Sequence, residues 1–184
     1  MATPNPDWTE GDIQFDFSKA RTVISLDQHG RGHGLSHVLK SVDFVVEWDN
    51  DFWLIEVKDP ENARIPVEHR KEQQQAFGKK MSSRSLIHAE LFPKFIDSLI
   101  FLGLDRGIPP KPMKYLTLIA MADLGPAQLG PLQDALKNHH ERCLLGPAPR
   151  GWSKGFSVFM FTLELWNERF PHCRATRVAR GAAG

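Results

Sequence analysis

The segment between residues 42 and 58 constrains the fold most, because it predicts two strands joined by a short turn. The first run, Val-Asp-Phe-Val-Val-Glu-Trp, begins at Val42, and the second, Phe52–Lys58, is rich in aromatic and β-branched residues. Asp49, Asn50 and Asp51 between them are residues typical of turns. The sequence therefore predicts a β-hairpin.

Three charged residues of this hairpin are expected on one face of the sheet. Strand side chains alternate between faces, so Glu56 and Lys58 point the same way. With a two-residue loop at Asn50-Asp51, position 49 pairs with 52, 45 faces 56, and 43 faces 58. Asp43 and Glu56 then stand diagonally across neighbouring strands, about 7 Å apart. A four-residue loop keeps this arrangement, whereas a three-residue loop would send Asp43 to the opposite face.

Two converging carboxylates beside an ammonium group indicate metal chemistry, because charged side chains are seldom buried unless they are paired or coordinated. Mg²⁺, or Mn²⁺, would take Asp43, Glu56 and a backbone carbonyl such as that of Val57 as oxygen ligands. Lys58 would orient the attacking water or stabilise charge on phosphorus during phosphodiester hydrolysis. The alternative is an ordinary Asp43–Lys58 cross-strand ion pair, worth roughly 0.2 to 1 kcal/mol.

The rest of the chain alternates predicted helices and strands, which indicates an α/β fold. Ser18–Asp27 suits a helix or a strand equally well. The further elements are a short strand at Leu35–Lys40, a helix at Val67–Met81, a helix at Ser85–Leu102 that Pro93 should break or kink, a strand at Lys114–Met121, a helix at Pro126–His139 and a last strand near Phe156–Leu163. A strand that follows a long helical crossover implies parallel pairing.

The composition suits one domain. The 184 residues are 41% hydrophobic, which is enough for a single core, expected over about residues 18–165 with 1–17 and 166–184 peripheral. Two cysteines, Cys143 and Cys173, are too few for a disulfide framework and fit a reducing compartment. Neither a signal peptide nor a membrane-spanning run is apparent, so we expect a cytoplasmic protein without a membrane partner.

Val42-Asp43, twelve intervening residues and Glu56-Val57-Lys58 together resemble the motif of the PD-(D/E)XK, or restriction-endonuclease-like, superfamily. Val42 replaces the usual proline. The resemblance implies an αβββαβ core with a mixed central sheet flanked by helices, the aspartate on the second strand and E-x-K on the third. It also implies a Mg²⁺-dependent nuclease that acts mainly on DNA, with RNA not excluded and with endo- or exonucleolytic cleavage left open.

Two further features of the family are altered here. Many members carry an additional glutamate on the first helix, and no glutamate occurs between Gly11 and Lys40, so the substitutes are Glu10, Asp16 and Asp27. Gln73 and Phe77 resemble the Q-x-x-x-Y arrangement of RecB-like nucleases, with Phe in place of Tyr. A solvated helix face carrying three consecutive glutamines is the alternative.

The net charge of +1 gives no overall field, so a nucleic acid would have to be bound by local patches. Residues 43–61 hold seven acidic residues against Lys58 alone, which suits a cation. The next stretch is basic and could follow a phosphate backbone; its candidate contacts are Arg70, Lys71, Gln73, Lys79, Lys80 and Arg84, beside Arg64. The tail adds Arg174, Arg177 and Arg180.

Other metal sites and another class of function stay open. Zinc could be bound by His29, His33 and His37, or by His139, His140 and Cys143. The fold could also serve as a catalytically silent module that binds nucleic acid or a protein partner. An apolar helix around Phe95–Leu102 could cover the sheet or mediate a homodimer, and a partner protein could supply specificity.

Overall fold

The computed structural model describes residues 8–26, 39–145 and 155–178. The strands are β1 (Thr9–Glu10), β2 (Ile13–Phe15), β3 (Thr22–Ser25), β4 (Phe44–Glu47), β5 (Phe52–Lys58), β6 (Met113–Ile119), β7 (Ser157–Phe161) and β8 (Ala175–Arg177). The helices are α1 (Val67–Ser82), α2 (Phe92–Asp105), α3 (Pro126–His140) and α4 (Leu163–Arg169), with π-helical segments at Leu86–Leu91 and Glu141–Leu145.

The main sheet has five strands in the order β3-β4-β5-β6-β7. The first three pair antiparallel, and β5, β6 and β7 pair parallel. The parallel pairing of β5 with β6 follows from the long crossover through α1 and α2, as the sequence predicts. A separate antiparallel sheet has the order β1-β2-β8. The α/β class with a mixed sheet flanked by helices is thus confirmed.

Most predicted elements are present, and the ambiguous ones are resolved. The Ser18–Asp27 segment forms a strand from Thr22, not a helix. The predicted helix at Ser85–Leu102 changes type just before Pro93: a π-helical segment ends at Leu91 and α2 begins at Phe92, with helical backbone angles at both residues. Of the strand predicted at Leu35–Lys40, residues 35–38 lie outside the described ranges, and 39 and 40 are not in a strand.

The two faces of the main sheet carry separate cores. On one face, residues such as Leu54 and Tyr115 pack against the π-helical segment, α2 and α3. Helix α2 covers this face through Phe95 and Leu102, whereas its Ile100 is exposed. None of the described helices is both long and apolar enough to cross a membrane.

The opposite face is covered by the small sheet and α4. Described parts of segments 1–17 and 166–184 supply buried residues there, among them Ile13, Phe15 and Trp166. The Trp166 indole N–H donates to the carbonyl of Cys173 at 2.7 Å, which ties α4 to the segment that leads into β8. The described residues of both segments, 8–17 and 166–178, are therefore integral to the packing.

The register of the β4–β5 hairpin differs from the expected two-residue loop. Glu47 pairs with Phe52 and Val45 with Leu54, so the turn has four residues and the expected pairings 45–56 and 43–58 are wrong by two positions. Trp48 packs against Trp53, with ring centroids 4.9 Å apart, and its carbonyl accepts from the Lys111 ammonium. A shift of two keeps every side chain on its face. Asp43 therefore comes opposite Glu56.

If the first segment is integral to the core, truncating Ile13 should be costly. We expect Ile13→Ala to lower the free energy of unfolding by about 2 to 5 kcal/mol, because Ile13 is fully buried. The matched Ile100→Ala change, at a side chain that is 46% exposed, should cost less than about 1 kcal/mol. Urea denaturation followed by fluorescence measures both, and equal losses would contradict this packing.

Candidate active site

Asp43, Glu56 and Lys58 meet on the helix-covered face, at the carboxyl end of β5. The Lys58 ammonium lies 3.1 Å from Oε1 of Glu56. Oδ2 of Asp43 accepts a hydrogen bond from the backbone N–H of Val57 at 2.6 Å. The three residues that the motif singles out are thus close together in the structure.

Backbone geometry explains why the Asp43 carboxylate lies there. The carbonyl of Lys58 bonds to Ala120 on the β6 side, so the N–H and C=O of Val57 face the other side, towards β4. The chain approaching β4 has not yet joined the ladder, and the Val42 N–H donates instead to the Ser98 hydroxyl at 2.9 Å. The Asp43 side chain takes the Val57 N–H in place of a backbone acceptor, and the Val57 carbonyl points the same way.

Lys94, on α2, is a site residue that the sequence analysis missed. Its ammonium lies 2.8 Å from Oε1 and 3.0 Å from Oε2 of Glu56, and 3.7 Å from Oδ1 of Asp43. It therefore bridges the two carboxylates. The available signal was weak: a charged residue just after Pro93 in a helix of mostly apolar residues.

The π-helical segment contributes a second missed residue, Glu90. Its carboxylate lies 2.7 Å from the Lys58 ammonium and 2.8 Å from that of Lys80. Together with the contacts above, this makes an alternating chain of charges: Lys80, Glu90, Lys58, Glu56, Lys94 and Asp43. The network contains three carboxyl groups and three ammonium groups, so its formal charges are equal in number.

Burial dominates the electrostatics of the site. Asp43 is 3% exposed and Glu56 0%. Burial raises the pKa of Asp43 well above its ordinary value, the charge of Glu56 raises it further, and Lys94 opposes the shift. Burial lowers the pKa of Lys58, but the charges of Glu56 and Glu90 outweigh that effect and leave it raised. Lys58 therefore stays an ammonium group.

Glu10 is the substitute acid that the structure associates with the site. Its negative charge is one of the causes that raise the pKa of Asp43, so it lies within electrostatic range. Asp16 is exposed and instead accepts from the backbone N–H of Ser18 at 3.0 Å. Asp27 lies outside the described residues.

The acidic run does not act as one cation-binding cluster. Five of its seven carboxylates have other partners: Glu47 with Lys111, Asp49 with Arg21, Asp51 with Lys114, Asp59 with Arg177, and Glu61 with Gln74. Within residues 8–26, 39–145 and 155–178, no three His, Cys, Asp or Glu residues are placed to hold a metal ion. Of the seven acidic residues in this run, Asp43 and Glu56 are therefore left as candidate metal ligands.

The two remaining carboxylates still suit a hard cation. Asp43 and Glu56 already share one positive group, and the Val57 carbonyl points to the β4 side of β5, as the N–H that binds Asp43 does. Mg²⁺ accepts such oxygen ligands and keeps several waters, so one or two carboxylates are enough.

The predicted nucleic-acid contacts lie mainly on the exposed side of α1. Lys71, Gln73, Lys79, Lys80 and Arg84 are exposed, whereas the half-buried Arg70 donates to the carbonyl of Ile65. Phe77 is buried in the core, and Gln74, rather than Gln73, contacts Glu61. Lys80 connects this basic helix to the ion-pair network through Glu90.

The described residues give no support to the two zinc sites predicted from histidine residues. His29, His33 and His37 lie outside the described residues. His139 has its ring nitrogens 3.7 and 3.9 Å from the sulfur of Cys143. His140 turns inward, bonds through Nδ1 to the carbonyl of Leu136, and burial lowers its pKa to about 4. The predicted set of three ligands does not converge.

Comparisons of the chain with models of protein families, with curated proteins and with solved structures gave no match.

The raised pKa of Asp43 predicts a pH-dependent stability cost. The folded state binds this proton more tightly than the unfolded chain, so stability falls as pH rises from the ordinary value towards the raised one. In chelator-treated buffer, Asp43→Asn should gain stability over the wild type as pH goes from about 4 to about 8. The exposed Asp134→Asn is the matched control. Denaturant midpoints across pH provide the measurement, and parallel curves for all three proteins would refute the assignment.

Proposed function

We propose that this protein is a metal-dependent nuclease of the PD-(D/E)XK type that hydrolyses phosphodiester bonds in nucleic acid, foremost DNA. The observation that carries the proposal is the convergence of two buried carboxylates, Asp43 and Glu56, on one positive group beside Lys58. Charged groups are rarely kept at such a position for packing alone.

The topology supports the restriction-endonuclease-like assignment. Asp43 immediately precedes β4, the second strand of the main sheet, and Glu56 and Lys58 lie on β5, the third. Strands β3, β4 and β5, the crossover through α1 and α2, and then β6 give the order βββαβ. Among the described residues, the small-sheet strands β1 and β2, and no helix, precede β3.

The residues have separate roles in the proposed reaction. The carboxylates of Asp43 and Glu56 and the carbonyl of Val57 would hold Mg²⁺ or Mn²⁺. A divalent ion there lowers the pKa of bound water and offsets phosphate charge. Lys58, held between Glu56 and Glu90, donates hydrogen bonds to the attacking water or to the developing negative charge.

The basic surface of α1 supplies the binding partner for the phosphate backbone. Lys71, Lys79 and Arg84 are exposed, and Lys80 lies between this surface and Glu90. A strand lying along α1 would pass close to the carboxylate pair. A cytoplasmic setting, and a homodimer or a partner protein that supplies specificity, complete this proposal.

One observation favours a second function, a catalytically silent binding module. The ammonium groups of Lys58, Lys80 and Lys94 already lie among the carboxyl groups of the network, and that of Lys94 stands between Asp43 and Glu56, where a metal would bind. Such a module would bind nucleic acid through α1, or a protein partner, without turnover. Cleavage that depends on divalent metal separates the two functions.

The activity test uses labelled single- and double-stranded DNA and RNA with Mg²⁺ or Mn²⁺. We expect cleavage of at least one substrate, abolished by chelation. Lys58→Ala and Glu56→Gln should each lower the rate about 10²-fold or more, because each removes charge stabilisation in a dry site. Lys137→Ala, on the exposed side of α3, is the control and should retain activity. Binding without cleavage in every condition would favour the silent module.

The binding role of α1 predicts a change in salt dependence. Replacing Lys71 and Lys79 together by alanine should weaken binding to all sequences and lower the slope of log affinity against log salt by about one per lost phosphate contact. Fluorescence anisotropy with a duplex at several salt concentrations measures this slope. A slope equal to that of Lys137→Ala would place the phosphate contacts elsewhere.

A further inference from the structure

Lys94 occupies the position between the two proposed metal ligands. Its Nζ atom contacts both oxygens of Glu56 and lies 3.7 Å from Asp43. A cation that binds both carboxylates must approach the same oxygens. At such spacing an ammonium group and a divalent ion repel each other strongly, even at the effective dielectric constant of a protein.

The backbone beneath Lys94 is fixed, whereas its side chain can leave. Its carbonyl accepts from the Ser98 hydroxyl at 2.7 Å, and that hydroxyl accepts from the Val42 N–H, so α2 is tied to the chain entering β4. The Lys94 side chain is 20% exposed and therefore has a route to solvent. Rotation about its four-carbon stem would remove the ammonium from the carboxylates without moving the helix.

We infer that Lys94 is an internal cation that competes with divalent metal for Asp43 and Glu56. Metal loading displaces its ammonium from the carboxylate pair towards solvent, where it can meet a substrate phosphate. Lys94 thus sets the metal affinity of the free protein and favours loading when an anionic substrate can receive the displaced charge. This inference rests on the proposed function, because it takes the same two carboxylates as the metal ligands.

The test is a titration of the 184-residue chain with Mn²⁺, and separately with Mg²⁺, by isothermal calorimetry without nucleic acid. We expect Lys94→Met, and likewise Lys94→Gln, to bind metal about tenfold or more tightly than the wild type, because a like charge beside the ion is removed. Lys114→Met is the matched control, since Lys114 pairs with Asp51 at the other end of β5. Its metal affinity should stay that of the wild type.

The outcomes distinguish this inference from the proposed function. Equal metal affinity in the wild type and the Lys94 variants, or weaker affinity in the variants, overturns the inference and leaves the nuclease proposal standing. Absence of binding in the wild type and in folded Lys94 variants, with folding checked by circular dichroism, overturns both. Two variants of different polarity are used so that misfolding of one does not end the test.

A second measurement reports whether metal binding exposes the amine of Lys94 in the wild type. Brief acetylation followed by peptide mass spectrometry reports the reactivity of each lysine. We expect acetylation of Lys94 to rise severalfold on addition of Mn²⁺, as its ion pairs are lost, while Lys114 is unchanged. A purely structural lysine would keep its protection, and unchanged reactivity of Lys94 under saturating metal would overturn the inference.

Discussion

The buried pair of carboxylates at the end of β5 places a requirement on everything around it. Asp43 and Glu56 are withdrawn from water by the sheet and the helices that cover it, so their charges need compensation from within the fold. Lys58 supplies it from the same strand, and Lys94 supplies it from α2. Strand β5 and helix α2, which belongs to the crossover after β5, together bring these charges close to one another.

Hydrogen bonds to backbone groups hold the residues of the site in place. The Ser98 hydroxyl links the backbone of α2 to Val42, and the Val57 N–H holds Asp43 where the ladder between β4 and β5 ends. Both bonds fix side chains through buried backbone groups, which are costly to leave unpaired. The site is therefore built on rigid elements, as the proposed catalytic function would require.

The sequence predicted the part of the site that depends on local alternation and could not predict the part that depends on distant packing. The shared face of Asp43, Glu56 and Lys58 survives the two-residue difference in register because strand periodicity is two. Lys94 and Glu90 reach Glu56 and Lys58 from more than thirty positions along the chain, through a helix whose orientation no local pattern determines. The burial of Ile13 and Trp166 likewise depends on the small sheet and α4 packing on the second face, which lies beyond the hairpin signal.

Helix α1 has a consequence for the proposed binding of nucleic acid. Of its sixteen residues, all of them described, only Phe77 is buried. Met81 packs against the core, and Gln74 and Lys80 make polar contacts with Glu61 and Glu90. Segments with so little buried apolar surface open at low free-energy cost. The order of α1 thus depends on what lies against it. Under the proposed function, a bound phosphate backbone would make this helix more rigid, and its amide hydrogen exchange would slow.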